Sequence, residues 1–101
     1  MSKTPVRWSA QAIGDLESIE EFIGRDSPRY GAMVVELLVQ SVDLLEDHPQ
    51  AGRIVPEIDR AEFRELIRDS YRIVYRSRDG GIEILTVFRA SRLLPQDIQD
   101  R

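Results

Sequence analysis

The segment from Tyr71 to Arg92 constrains the fold of this chain more than any other part of the sequence. Two runs rich in β-branched and aromatic residues flank the turn residues Asp79-Gly80-Gly81. Glycine adopts positive φ without a Cβ clash, so this tripeptide lets two strands return antiparallel to each other. The segment therefore predicts a β-hairpin.

Alternation along the hairpin predicts which side chains share a face. In the first arm the two rows are Tyr71, Ile73, Tyr75 and Arg72, Val74, Arg76. In the second arm they are Ile82, Ile84, Thr86, Phe88 and Glu83, Leu85, Val87, Arg89. The first row of the first arm is expected to pack on a core, while the second presents guanidinium groups. Both rows of the second arm are largely apolar.

The size of the chain indicates a single domain over residues 1–101. Hydrophobic residues make up 42% and charged residues 32%, which is typical of a globular protein. The sequence contains no cysteine, no apolar run of membrane-spanning length and no signal-peptide pattern. We expect a cytoplasmic protein with no membrane segment, no cofactor and no metal.

Charge is distributed unevenly along the chain, whose net charge is −4. Residues 1–59 hold 5 Lys/Arg against 11 Asp/Glu, whereas residues 60–101 hold 9 against 7. Non-specific nucleic-acid binders need a strong positive charge to neutralise phosphates. The composition therefore argues against bulk affinity for RNA or DNA.

Two amphipathic helices are predicted in the first half. Ser9 is expected to cap the first helix, which runs to Gly24, and Ser27-Pro28 begins the second, which ends near His48-Pro49. Apolar residues recur in the second helix at helical spacing. They are Tyr30, Met33, Val34, Leu37, Leu38, Leu44 and Leu45. We expect this stripe, including Leu37, to face the core.

The second half predicts a loop followed by strands. Residues 49–61 contain two prolines and a glycine and are expected to form a long crossover. Strands are predicted over 63–68, 71–76 and 82–88, with residues 6–8 available as a further strand and the end from Pro95 frayed. The fold class is α+β: an N-terminal helical hairpin on one face of a small antiparallel sheet, in the order β-α-α-β-β-β.

Two helices cover only one face of such a sheet. Leu85 and Val87 fall in the row that the helices would leave uncovered, with arginines at its rim. We therefore expect this second face to be a partner-binding surface. The alternative is a solvated strand face on which the arginines pair with Glu62, Glu65 and Glu83.

The order of these motifs resembles the RelE/ParE family of type II toxin–antitoxin toxins, and its ParE branch more closely. The resembling segments are Val6-Arg7-Trp8-Ser9, Asp15 to Ile19, Leu44 to Pro49, Gly52-Arg53, Arg64-Glu65-Leu66, Tyr71 to Arg76 and Ile82 to Leu85. The resemblance implies a RelE/ParE-like fold and a bacterial toxin that arrests growth and is neutralised by a cognate antitoxin. In the ParE branch it implies binding to DNA gyrase, inhibition of replication and a role in plasmid stabilisation.

The resemblance also bears on the site residues. The expected toxic or partner-binding surface comprises Arg64, Arg72, Arg76, Leu85, Val87, Arg89 and Arg92. In the RelE branch, positions matching Arg72 and Arg92 hold RNA phosphate, so these two are the catalytic candidates if the chain is an endoribonuclease.

Three features of the sequence depart from the family patterns. Lys3 is the only lysine, and no tyrosine follows Tyr75. RNA cleavage needs an acid and a base, and arginine is a poor proton carrier. We therefore expect a binding toxin without chemistry, with a ribosome-dependent mRNA endonuclease as the alternative. Arg89 replaces a histidine common in ParE-like chains, which leaves open a weakened or non-toxic member.

Overall fold

The computed structural model describes residues 3–101 as a two-helix hairpin on one face of a five-stranded sheet. The elements are β1 (Val6–Trp8), α1 (Ala10–Gly24), α2 (Pro28–Gln40), β2 (Arg53–Ile54), β3 (Phe63–Arg68), β4 (Tyr71–Arg78) and β5 (Gly81–Arg89). The strand order is β1-β5-β4-β3-β2. The predicted α+β class is confirmed, and no helix within the described residues is long and apolar enough to cross a membrane.

The sheet differs from the expected one in two respects. It is mixed, because β1 pairs parallel to β5 while the other strand pairs are antiparallel. β1 and β5 are separated in the chain by both helices and by β2, β3 and β4, so no hairpin imposes an antiparallel direction on them. The crossover, expected to be loop throughout, also contributes the two-residue edge strand β2.

The hairpin of β4 and β5 confirms the prediction from its turn residues. Asp79 and Gly80 both have positive φ, 55° and 76°. Positive φ at both central residues defines the type I′ turn, whose twist matches that of the flanking strands.

Both predicted helix starts are also confirmed. Ser9 Oγ accepts a hydrogen bond from the backbone N–H of Ala12 at 3.0 Å, and Ser27 Oγ accepts one from Tyr30 at 3.2 Å. The two helices approach closely at Gly31, where an added Cβ would lie 2.8 Å from the carbonyl oxygen of Glu20.

The main core lies between the helices and the sheet. Its buried residues from the helices and the following turn are Ala12, Leu16, Val34, Leu38, Val42 and Leu45. The prediction that Leu37 belongs to this core is wrong, because Leu37 is 50% exposed whereas Leu38 is 0% exposed. α2 is apolar on more than one side, and the close contact at Gly31 turns Leu38 inward and leaves Leu37 outside.

A second core covers the other face of the sheet. Val55, Phe63, Val74, Leu85 and Ile98 are all buried there. The crossover and the C-terminal segment therefore cover this face within the same chain, and the expectation that a partner covers Leu85 is wrong. The end of the chain is not frayed, since Ile98–Asp100 form a 3₁₀ turn and Ile98 is buried.

A β-bulge in β5 explains why Leu85 and Val87 do not share a face as expected. Val74 pairs with Thr86 and Tyr75 with Ile84, so the register skips Leu85. The extra residue inverts the alternation beyond it, and Val87 joins the main core while Leu85 joins the second one. The apolar pair predicted for the partner surface therefore does not exist as a patch.

Candidate functional site

The predicted arginines do not form one surface. Arg72 is only 7% exposed and lies on the sheet face away from the helices. Its Nε donates to Glu65 Oε1 at 2.6 Å, and its two terminal nitrogens donate to the carboxylate of Glu57 at 2.8 and 2.9 Å. The guanidinium also lies 5.1 Å from the centre of the Phe88 ring. The expectation that Arg72 presents a free guanidinium is wrong.

The carboxylates around Arg72 extend this network to the edge of the sheet. Glu65 is buried, and its second oxygen accepts a hydrogen bond from Arg53 Nε at 2.6 Å. The hydrogen bonds from Arg72 lower the pKa of Glu57, and the bonds to Glu57 raise the pKa of Arg72. Each of the three nitrogens of Arg72 thus makes a charge-assisted contact with a carboxylate, so the guanidinium has to give up such contacts to bind a phosphate.

Arg64 and Arg76 are also engaged within the chain. Arg64 donates to the backbone carbonyls of Ala61 at 3.1 Å and Gly52 at 3.0 Å. Arg76 lies 4.8 Å from the centre of the Phe63 ring and is also 3.3 Å from a carboxylate oxygen of Glu62. Arg64 thus ties the crossover to the sheet, whereas Arg76 contacts β3 and the residue that precedes it.

Two of the three glutamates form the arginine pairs that the alternative interpretation expects, although Arg72 and Glu65 are buried rather than solvated. Glu65 pairs with Arg72 and Glu62 with Arg76, as that interpretation expects. Glu83 instead pairs with Arg7 of β1, at 3.0 Å.

Among the arginines predicted for the partner surface, Arg89 and Arg92 are the two that are exposed. They lie at the end of β5, where they line a groove of about 440 Å³ between α1 and the sheet. The guanidinium carbon of Arg89 is 5.9 Å from the centre of the Tyr71 ring, and Tyr71 also lines the groove. Arg72 is not part of its lining, so the structure does not bring the two catalytic candidates together in one site.

α1 forms the other wall of this groove. Asp15, Ser18, Phe22 and Arg25 line it, and their spacing of 3, 4 and 3 residues places them on one flank of the helix. Asp15 fixes that flank to the sheet, because its Oδ2 accepts hydrogen bonds from the Thr86 hydroxyl at 2.6 Å and from the Val87 N–H at 3.0 Å.

The remaining candidates for proton transfer lie in unsuitable surroundings. The Tyr75 hydroxyl donates to the Pro49 carbonyl at 3.0 Å and accepts from the Gly52 N–H at 2.9 Å. Burial raises the pKa of Tyr75, which opposes its ionisation. Glu57 is held in its charged form by Arg72. Within residues 3–101, no three His, Cys, Asp or Glu residues are grouped so as to hold a metal ion.

Sequence reasoning missed two residues of these sites, Glu57 and Phe22. Glu57 lies in a segment without regular period, so no local signal pairs it with Arg72. An aromatic residue of an amphipathic helix ordinarily belongs to its buried stripe, yet the side chain of Phe22 is 60% exposed in the groove. The 3-4-3 spacing that joins Phe22 to Asp15 and Arg25 is the one sequence signal for this wall.

Solved structures share this architecture. The chain superposes on a chain of the chromosomal ParDE toxin–antitoxin system of Pseudomonas aeruginosa with a TM-score of 0.72 at 22% identity, covering 86% of this chain and 96% of that one. It superposes on a chain of the RelBE2 toxin–antitoxin complex of Mycobacterium tuberculosis with a TM-score of 0.57 at 27% identity, covering 88% and 99%. The fold is thus that of proteins from toxin–antitoxin complexes.

Sequence comparison gives the family. The sequence model for the ParE toxin of the type II toxin–antitoxin system parDE matches residues 6–94. The chain is 37% identical over 98 residues to Y4kP of Sinorhizobium fredii, covering 95% of this chain and 98% of that protein. It is 33% identical over 89 residues to toxin RelE2 of Caulobacter vibrioides, covering 87% and 97%. The chain belongs to the ParE/RelE family of type II toxin–antitoxin toxins.

Proposed function

We propose that this toxin acts in the bacterial cytoplasm by binding DNA gyrase, and that it inhibits replication without chemistry of its own. A cognate antitoxin neutralises it by forming a complex with it. The match to the ParE family model over residues 6–94 supports the choice of target. The toxin–antitoxin systems among the structural neighbours support the choice of partner.

The ion network at Arg72 is the observation that carries the non-catalytic part of the proposal. A nuclease arginine has to exchange its partners for the substrate phosphate and the developing charge. Arg72 is buried, and both of its carboxylate partners are already in charge-assisted contact with it. Releasing it for a phosphate would leave Glu65 buried without this partner, which is energetically costly.

The absence of a suitable proton carrier beside Arg72 supports the same proposal. General acid–base catalysis works best when the pKa of the group lies near the operating pH. Glu57 has a pKa lowered by Arg72, and Tyr75 has a pKa raised by burial. Both shifts move the pKa of the group further from neutral pH.

The test is a supercoiling and cleavage-complex assay with purified gyrase and the purified chain. We expect inhibition that reaches saturation with the chain and is reversed when the antitoxin is added. Unchanged gyrase activity at concentrations well above those that arrest growth would refute the choice of target. Normal growth on strong induction without antitoxin would instead identify a non-toxic member.

The alternative function is that of a ribosome-dependent mRNA endonuclease. Similarity to a protein named toxin RelE2 over 87% of the chain favours it. Sequencing of transcript ends after induction distinguishes the two functions, because an endonuclease produces in-frame cuts within translated messages. Arg92→Ala is the informative variant, since Arg92 is exposed and its loss is not expected to unfold the domain.

A further inference from the structure

The groove between α1 and the end of the sheet has the form of a site for an anchoring side chain. Its volume of about 440 Å³ falls within the ~300–1,000 Å³ typical of ligand pockets. Its lining combines apolar or aromatic side chains with basic ones, and these are Ile19, Phe22, Tyr71, Arg25, Arg89 and Arg92.

The apolar part of the groove is centred on Phe22. A single exposed apolar residue on a surface is ordinary. Phe22 differs because it is 60% exposed inside a concave site that Ile19 and Tyr71 also line. A bulky apolar side chain inserted here would cover the Phe22 ring and remove apolar area from water at ~25 cal/mol per Å².

The charged part of the groove is its arginine rim, defined as Arg25, Arg89 and Arg92. Two acids also line the groove, but Asp15 is bonded to the sheet and Glu21 is 4.0 Å from Arg25 on the exposed helix surface. Within residues 3–101, Arg89 and Arg92 form no ion pair, in contrast to Arg72. A chain of net charge −4 thus gathers unpaired cations at one concave site.

We propose that this groove is the docking site for an acidic segment of the antitoxin that carries a bulky apolar anchor. The anchor packs against Phe22 and Tyr71, and flanking carboxylates pair with the arginine rim. Guanidinium groups suit carboxylates because they donate two parallel hydrogen bonds. The inference rests on the proposed function, which supplies the antitoxin, and adds to it the surface and the chemistry of recognition.

A protein segment fits this groove better than a nucleic acid does. The groove combines its cations with buried and half-buried apolar side chains, and the chain as a whole is acidic. Phosphate-driven binding needs many cations along an extended surface.

The outer side of α2 offers the comparison surface. Tyr30, Met33 and Leu37 are exposed there, but none of them lines the groove. Met33 is 57% exposed, nearly the same as Phe22, and Arg29 is an exposed arginine of α2. Met33 and Arg29 therefore provide matched controls for Phe22 and Arg92.

The experiment measures binding of the protein encoded beside this gene to the wild-type chain and to four variants. Phe22→Ala is expected to weaken binding about 30-fold, the loss that follows truncation of an interface hot spot of about 2 kcal/mol. Arg92→Glu is expected to weaken it at least about 10-fold and to reduce its dependence on salt. Met33→Ala and Arg29→Glu are expected to bind within about 3-fold of wild type. Thermal unfolding of each variant verifies that the fold is retained.

Each outcome bears on a different conclusion. If Phe22→Ala and Arg92→Glu both bind with the affinity of the wild type, the proposed docking site is overturned and the proposed function remains intact. Loss of binding with Met33→Ala rather than Phe22→Ala would move the site to α2. Tight, Arg92-dependent binding of a labelled 20-base single-stranded DNA at physiological salt would identify a nucleic-acid site instead. A wild-type chain that neither binds its encoded neighbour nor arrests growth would refute the proposed function, and the docking site with it.

Discussion

Arg72→Ala tests the ion network most directly, and we expect it to destabilise the fold rather than to remove a surface contact. The substitution leaves Glu65, which is 1% exposed, without its partner at 2.6 Å. Breaking a buried ion pair by removing one partner costs about 3–5 kcal/mol. Arg53 remains 2.6 Å from the other oxygen of Glu65, so the lower end of that range, about 3 kcal/mol, is the expected loss.

The expected loss is large enough to measure by thermal unfolding. For a domain of about 100 residues, each kcal/mol shifts Tm by roughly 4–8 °C. Arg72→Ala is therefore expected to lower Tm by about 12–24 °C, followed by circular dichroism. Arg92→Ala is the matched control, because Arg92 is exposed and its removal is expected to change stability by less than about 0.5 kcal/mol.

A second variant separates the buried charge from the lost packing of the Arg72 side chain. Glu65→Leu combined with Arg72→Met removes both charges and keeps apolar volume beside the second core. We expect this double variant to be more stable than Arg72→Ala alone, since no unpaired carboxylate remains buried. If the free energy of unfolding of Arg72→Ala lay within about 1 kcal/mol of the wild-type value, the argument that Arg72 is a buried structural residue would be refuted.

Three further perturbations test other parts of the structure. Leu38→Ala is expected to lower the free energy of unfolding by about 2–5 kcal/mol, and Leu37→Ala by less than about 1 kcal/mol, because only Leu38 is buried. Urea titrations measure both values, and equal losses would contradict the assigned core face. Ile98→Ala is expected to destabilise by about 2–5 kcal/mol, which a frayed C-terminus would not show. Because the pKa of Glu57 is lowered from 4.5 in the folded state, its contribution to stability is fully present well above that pH and disappears as the pH falls below it. The difference in unfolding free energy between wild type and Glu57→Gln should therefore be constant between about pH 6 and about pH 8, well above the usual pKa of a glutamate, and should shrink in acid. A difference that grows in acid would contradict the expected direction.

The elements of this fold follow from local signals in the sequence. Asp79-Gly80 specifies the hairpin turn because both residues adopt positive φ, and Ser9 and Ser27 begin the helices because their hydroxyls accept backbone N–H bonds. The two capping bonds join residues three positions apart and the turn consists of adjacent residues, so these features depend little on the rest of the chain. The family resemblance stated from the sequence was also confirmed by the comparisons.

The tertiary structure decided which faces these elements bury and which arginines remain free. One extra residue in β5 moves Val87 to the main core, and the close contact at Gly31 leaves Leu37 outside, although neither change alters a local propensity. Arg72 and Arg92 are both arginines on or beside strands, yet only Arg72 has Glu57, from the distant crossover, folded over it. Burial and ion pairing depend on residues that are far apart in the chain. Alternation along one strand does not include them, and it therefore predicted Arg72 to be on the surface although it is buried.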